Sequence, residues 1–268
     1  TSAFAFTGNK FEFRAVGSWS NCAIPMTTLN TIVAKQLKEF KIEVDSLVDD
    51  KKLKKDEAIF NVLREYIKDS KNIRFEGDGY GEVWEKEAKK RGLSNNKTTP
   101  EALQVKISKE TIALFEEMKV MNSVELEARY EIDLEEYTKR LQIESRVLGD
   151  IARNHIVPTA INYQNTLLEN TKNLKEIFGD DFKNIAKEQI ELIMTISNHI
   201  TEINALTIKM IDARRKANKL EGFKSADVYS KKVKPFFEQI RYHCDKLETM
   251  VDDNLWPLTK YRELLFTR

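Results

Sequence analysis

A short run near the start of the chain carries most of the side chains that could do chemistry. Residues 8–14 read Gly-Asn-Lys-Phe-Glu-Phe-Arg, which alternates polar and aromatic residues with the period of a β-strand. A strand points alternate residues to one side, so the pattern predicts Lys10, Glu12 and Arg14 on one face and both aromatic residues on the other. A carboxylate between two cations suits a hard metal ion such as Mg²⁺, bound beside phosphate or carboxylate oxygens.

The same pattern is also typical of a solvated strand face. Like-faced Lys, Glu and Arg form exposed ion pairs that contribute only about 0.2–1 kcal/mol each. A single carboxylate cannot complete a Mg²⁺ site, because this ion takes six ligands. Either the rest of the site lies elsewhere or the strand is not catalytic.

The composition excludes some classes of partner. The chain has 268 residues, and its 44 Lys and Arg nearly cancel its 43 Asp and Glu, so we expect neither a nucleic-acid nor a membrane partner. No apolar stretch approaches the roughly 18 residues of a membrane span. Cys22 and Cys244 are predicted to be unpaired thiols in a reducing compartment, and with no visible signal peptide we expect a cytoplasmic location.

The elements needed to position these side chains are mainly helices. Only 9 glycines and 5 prolines occur, and strand-like sequence is confined to residues 1–22. Residues 124–178, 181–220 and 225–254 predict three long helices. Short glycine-bearing connections between them imply antiparallel neighbours. The predicted fold is therefore mainly α, a long antiparallel helical bundle with a small N-terminal β remnant.

Apolar residues at helical spacing predict which faces are buried. Thr27 or Thr28 would cap the first helix, Ser108 a later one, and Pro158 should kink the long helix that contains it. The apolar tail after residue 254 should pack on the bundle or on a neighbouring subunit. The predicted stripes are Leu29, Ile32, Val33, Leu37 and Phe40; Ile59, Phe60, Leu63, Tyr66 and Ile67; and Ile185, Ile190, Ile193, Ile196, Ile200, Ile203 and Leu206.

Two further features are candidates for binding sites. The turn Gly77-Asp78-Gly79 could approach a ligand or another subunit, or could simply reverse the chain. The histidines at positions 155, 199 and 243 stand among Ile, Asn, Thr and Cys neighbours, which predicts no metal site at any of them.

The chain resembles type III glutamine synthetases over essentially its whole length. The similarity starts in the segment 4–14 and ends in the apolar tail. It is carried by Phe4-Ala5-Phe6-Thr7-Gly8-Asn9-Lys10-Phe11-Glu12-Phe13-Arg14, Pro25, Leu29-Asn30-Thr31-Ile32-Val33-Ala34, Gly77-Asp78-Gly79-Tyr80, Glu87-Ala88-Lys89-Lys90-Arg91-Gly92-Leu93, Lys97-Thr98-Thr99-Pro100-Glu101-Ala102-Leu103, Arg129-Tyr130-Glu131-Ile132, Trp256-Pro257, Tyr261 and Leu264-Leu265-Phe266.

This resemblance implies part of an ATP-dependent glutamate–ammonia ligase, with Mg²⁺ or Mn²⁺ as cofactor. Glu12 matches a metal-ligand glutamate, and Arg14 matches the catalytic arginine that binds the reacting carboxylate and phosphoryl group. Lys10 matches a position that contacts nucleotide phosphate, where other classes usually have arginine. The implied partners are glutamate, ammonia, ATP and further copies of the chain, in stacked hexameric rings.

The start of the chain departs from the family pattern. The family's strand follows Asn-Arg-Thr-Ser-Pro, whereas here Thr1 and Ser2 open the chain, the arginine is missing and Ala3 replaces the proline. We expect a C-terminal fragment that is inactive alone. The expected domains are 1–106, the end of the catalytic domain, and 107–268, a helical extension. The alternative is a non-catalytic helical scaffold or oligomerisation module.

Overall fold

The computed structural model describes residues 4–13, 21–75, 77–79 and 81–266, and they are mostly helical. The predicted fold class, mainly α with a small N-terminal β element and a long antiparallel bundle, is confirmed. The strands are β1 (Phe4–Phe6) and β2 (Phe11–Phe13). The helices are α1 (Ala23–Asp49), α2 (Lys55–Asp69), α3 (Glu82–Lys90), α4 (Thr99–Gln104), α5 (Lys109–Glu117), α6 (Ser123–Asp150), α7 (Val157–Phe178), α8 (Phe182–Ile185), α9 (Lys187–Ala217), α10 (Gly222–Val228), α11 (Pro235–Glu248) and α12 (Tyr261–Leu264).

The chain divides into two compact units. One comprises residues 1–97 and 101–130, and the other comprises residues 98–100 and 131–268. The two units are groups of residues that contact one another more than they contact the rest of the chain. The expected boundary at 106/107 is a different kind of boundary, the end of a catalytic domain, and it stays a prediction.

In the first unit, α1 and α2 pack around a small buried cluster. Val44, Ala58 and Val62 form its centre, with the Phe40 ring meeting the Tyr66 ring edge-on at 6.0 Å. The predicted stripes on α1 and α2 are only partly buried, which corrects the expectation that they form the core. Each helix has one face on its partner and leaves much of its apolar surface in solvent. The exposed members are Ile32, Val33, Leu37, Phe60, Leu63 and Ile67.

The capping predictions had mixed outcomes. Helix α1 begins at Ala23, ahead of both threonines, and the Ala23 N–H donates to the Asn21 side-chain oxygen at 2.8 Å. Ser108 does cap α5, because its hydroxyl accepts from the Thr111 N–H at 3.2 Å. A polar side chain therefore satisfies one free N–H in the first turn of each helix, and at α1 this side chain is Asn21 instead of either threonine.

The second unit is built on α9, which lies against both α7 and α11. Gln164 on α7 bonds the Ile193 carbonyl at 2.9 Å, and Asn170 bonds Gln189 at 2.8 Å, so these helices run antiparallel. The predicted stripe on α9 is largely confirmed, since Ile196 and Ile203 are completely buried and Leu206 nearly so. Ile185 is the exception and is 47% exposed, because it lies on α8, ahead of the break at Ala186. The tail contributes Trp256 to this core, whereas Tyr261, Leu264, Leu265 and Phe266 are exposed.

Pro158 and Pro235 each follow a widened helical turn. The Val157 N–H, just before Pro158, bonds the Ala152 carbonyl, and the Lys234 N–H, just before Pro235, bonds the Tyr229 carbonyl. Each bond spans five residues instead of four. Proline has no N–H and its ring crowds the preceding turn, so a wider turn lets the chain stay helical.

The buried apolar residues Ile196, Ile203, Leu206 and Met210 are called the α9 seam. Shortening one of these side chains should show how much of the stability depends on the seam. Ile203→Ala is expected to lower the free energy of unfolding by about 2–5 kcal/mol, because it opens a cavity in a closed core. Ile208→Ala, on the same helix but 52% exposed, is the matched control and should change it by less than about 1 kcal/mol. Urea unfolding followed by circular dichroism measures both, and equal losses would contradict the assignment of the seam.

Candidate functional site

The charged strand proves to be one arm of a β-hairpin. β1 and β2 pair antiparallel, with Phe4 opposite Phe13, Ala5 opposite Glu12 and Phe6 opposite Phe11. Residues 4–6 supply the second strand, which the alternating pattern of residues 8–14 did not predict. Local chain reversal therefore builds the sheet.

The turn of the hairpin corrects the predicted length of the strand. The Thr7 N–H donates to the Lys10 carbonyl at 2.8 Å, and Gly8 has a φ of 99°. Few residues other than glycine adopt a positive φ at low cost, so the turn depends on Gly8. The strand starts at Phe11, which places Lys10 at the end of the turn and not within the strand.

Lys10 and Glu12 nevertheless come together on one side of the hairpin. The Lys10 ammonium lies 3.7 Å from a Glu12 carboxylate oxygen, a long ion pair. The Glu12 side chain keeps about 35% of its surface exposed, and that of Lys10 keeps 67%. The third predicted member, Arg14, lies outside the described residues. The carboxylate is thus held near one cation while still open to a ligand.

The chemistry of Glu12 fits one ligand of a hard divalent ion, but these residues do not form a whole metal centre. Within the described ranges, no group of three or more His, Cys, Asp and Glu side chains is placed to hold a metal ion. Mg²⁺ and Mn²⁺ prefer several oxygen donors. Glu12 could therefore contribute to a site completed by other groups.

The Gly77-Asp78-Gly79 turn lies beside a well-connected cluster. The rings of Phe75 and Trp84 stack at 4.2 Å, and the Arg91 guanidinium lies 5.8 Å from each ring centre. Gly77 has a φ of +144°, and a Cβ there would lie 3.0 Å from the Phe75 ring. These contacts support the interpretation that the turn reverses the chain.

The structure also joins two histidines that the sequence analysis left apart. Nδ1 of His199 on α9 lies 2.8 Å from Nδ1 of His243 on α11. The two positions are 44 apart in the sequence, so local spacing cannot predict that they meet. One local signal was overlooked, since Glu202 follows His199 by three residues and so lies close to it on one helix face.

Among the described residues, no helix has both the length and the apolar character that crossing a membrane requires. The described residues are mainly helical and carry a hairpin whose Lys10 and Glu12 side chains are of the types that bind oxyanions and metal ions.

Comparison with known proteins finds similar sequences along the whole chain. The family model for the glutamine synthetase C-terminal domain matches residues 58–175. The whole chain is 50% identical to glutamine synthetase of Bacteroides fragilis (strain YCH46) and covers 37% of it. It is 34% identical to type-3 glutamine synthetase of Dictyostelium discoideum, covering 36%, and 28% identical to glutamine synthetase of Butyrivibrio fibrisolvens, covering 37%.

The chain is therefore similar to glutamine synthetases along its whole length, and the predicted resemblance to type III glutamine synthetases is confirmed. It spans little more than a third of the length of the curated relatives it matches.

The contacts of Arg91 generate a prediction about the first unit. Its guanidinium donates to Glu87 at 2.7 Å and to the carbonyls of Asn72 and Arg74 at 3.2 and 2.9 Å. Arg91→Ala leaves both carbonyls without this donor and should lower the free energy of unfolding by about 1–3 kcal/mol. Lys86→Ala, at an exposed position on α3, the helix that Arg91 follows, should have little effect in the same denaturation experiment. A loss no larger than the control's would show that Arg91 is dispensable.

Proposed function

We propose that this chain is part of an ATP-dependent glutamate–ammonia ligase that makes glutamine through γ-glutamyl phosphate. In that reaction a γ-carboxylate oxygen of glutamate attacks the terminal phosphorus of ATP, and ADP leaves. Ammonia then attacks the activated carbonyl carbon and phosphate leaves. The observation that carries the proposal is similarity to glutamine synthetases along the whole chain, including the hairpin with its charged face.

The hairpin residues are assigned separate roles in this proposal. Glu12 offers a carboxylate oxygen to Mg²⁺ or Mn²⁺, which when bound would neutralise phosphate charge. Lys10 binds nucleotide phosphate, and Arg14 binds the reacting carboxylate and the transferring phosphoryl group. Phosphoryl transfer depends mainly on positioning and charge neutralisation, and a carboxylate flanked by cations supplies both.

The chain is proposed to be inactive without further residues. Glu12 is one oxygen ligand, and within the described ranges it belongs to no group of three or more metal-binding side chains. Exposed apolar residues on α1 and α2, including Ile32 and Leu37, support the idea that the first unit packs against more protein. The relatives are almost three times as long as this chain, which supports the same conclusion.

Substitution of Glu12 tests the proposal in the intact enzyme that contains this chain. Glu12→Gln removes the charge but keeps the shape, and should lower kcat on the order of 10²-fold or more while raising the Mg²⁺ concentration required. Glutamine formation from glutamate, ammonia and ATP gives both values.

Glu127→Gln, at an exposed position on α6, serves as the control and should keep wild-type turnover. The purified 268-residue chain should form no glutamine under the same conditions. Near-normal turnover and an unchanged Mg²⁺ requirement in Glu12→Gln would defeat the assigned role, and turnover by the chain alone would defeat the proposed dependence on further residues.

The exposed tail supports a homo-oligomer, the second part of the proposal. Tyr261, Leu265 and Phe266 are 60–80% exposed, which is unusual for adjacent large apolar side chains. A second copy of the chain could cover them. Such a contact would also serve the alternative function, in which the helical unit is a non-catalytic scaffold or oligomerisation module.

The tail can be tested by mass measurement. The double variant Leu265→Ser, Phe266→Ser should shift the protein towards smaller assemblies in multi-angle light scattering, because it removes apolar area from the proposed contact. Ile177→Ser, equally solvent-exposed on α7 at 72%, is the control and should leave the mass unchanged. An unchanged mass in the tail variant would remove the tail from the interface.

A further inference from the structure

The histidine pair lies where two long helices meet. His199 and His243 are both half-buried, and their ring centres are 5.1 Å apart with a tilt of 58° between planes. Fully buried Ile203 on α9 and Ile240 on α11 hold the neighbouring turns in the core. The packing of the bundle therefore fixes the positions of the two imidazoles.

The contact joins the same nitrogen of each ring. At 2.8 Å, one Nδ1 carries a proton and donates it to the lone pair of the other. If both rings instead carry their protons on Nε2, two lone pairs point at one spot between α9 and α11. Paired imidazole lone pairs are the favoured donors for borderline transition-metal ions.

We propose that His199 and His243 form a two-histidine clamp that binds a divalent transition-metal ion of the Zn²⁺ type and ties α9 to α11. The ion takes the place of the proton shared between the two Nδ1 atoms. The ring that gave up its Nδ1 proton takes one on Nε2 from solvent, so two neutral rings bind without net proton release. This site is separate from the hairpin and independent of the proposed ligase activity.

The distances suit such an ion after a small adjustment. Zn–N bonds of about 2.0–2.1 Å at a tetrahedral angle place the two nitrogens about 3.3 Å apart. The pair must therefore open by about half an ångström, which rotation of two half-buried side chains can supply. The described residues bring no third strong ligand into place, so water would fill the remaining positions.

The charged side chains around the pair have opposing effects on cation binding. Glu202, one turn along from His199, lines an open groove with His243 and Glu238, and these carboxylates favour a cation. Lys246 opposes it. Burial, followed by the neighbouring His243 and Lys246, lowers the pKa of His199 below its usual value.

Metal choice follows from the ligand type. Imidazole nitrogen favours Zn²⁺, Ni²⁺ and Cu²⁺ over Mg²⁺ and Ca²⁺, which prefer oxygen. The two histidines should therefore not bind the Mg²⁺ that is proposed for the hairpin. Because an ion that binds only the folded chain stabilises it, Zn²⁺ should raise the melting temperature.

The test compares Zn²⁺ binding by the full chain and three variants in excess Mg²⁺, after treatment with a chelator. His199→Gln and His243→Gln should each bind Zn²⁺ at least about tenfold more weakly in calorimetric titration and lose the Zn²⁺-dependent rise in Tm. His155→Gln is the matched control, because it removes an exposed histidine outside the pair. It should behave as wild type.

Imidazole ¹⁵N chemical shifts of the wild type provide a readout that does not depend on how the variants fold. Zn²⁺ should move the Nδ1 signals of His199 and His243 together and leave those of His155 in place. Absence of Zn²⁺ binding, equal binding by all variants, or a shift at His155 instead of the pair would overturn the proposal.

Discussion

Burial of the apolar seam of α9 between α7 and α11 is the interaction on which the rest of the second unit depends. Ile196, Ile203 and Met210 on α9 and Ile240 and Leu247 on α11 are completely withdrawn from water. Each such side chain contributes about 1.5–3 kcal/mol through burial. Hydrogen bonds such as that from Gln164 to the Ile193 carbonyl also join α7 to α9, and together with the interdigitating apolar side chains they set the register of the helices.

That register has consequences for chemistry. It places His199 beside His243, and Trp256 of the tail packs into the core that it forms. It also tolerates two prolines, because a widened turn before each one keeps the helix continuous and the apolar face in place. A rigid bundle of this kind can hold a metal clamp with little reorganisation.

The hairpin follows different physics. Its order comes from local hydrogen bonds, a glycine turn and the pairing of two three-residue strands. A two-stranded hairpin is only marginally stable by itself. This agrees with the proposal that further residues complete its site. The exposed apolar faces of α1 and α2 support the same proposal. The first unit thus carries the proposed ligase chemistry, and the second carries most of the described core.

The sequence by itself determined the local features: long helices, the seam on α9, the Ser108 cap, the charged face of residues 10–12 and the relation to glutamine synthetases. These depend on period, turn residues and motif, which act over a few residues. Only the tertiary structure decided that residues 4–6 pair with 11–13, that Ile32 and Leu37 stay exposed, and that two histidines meet. Helical period shows that a face is apolar, but which surface covers it depends on contacts between residues far apart in the chain.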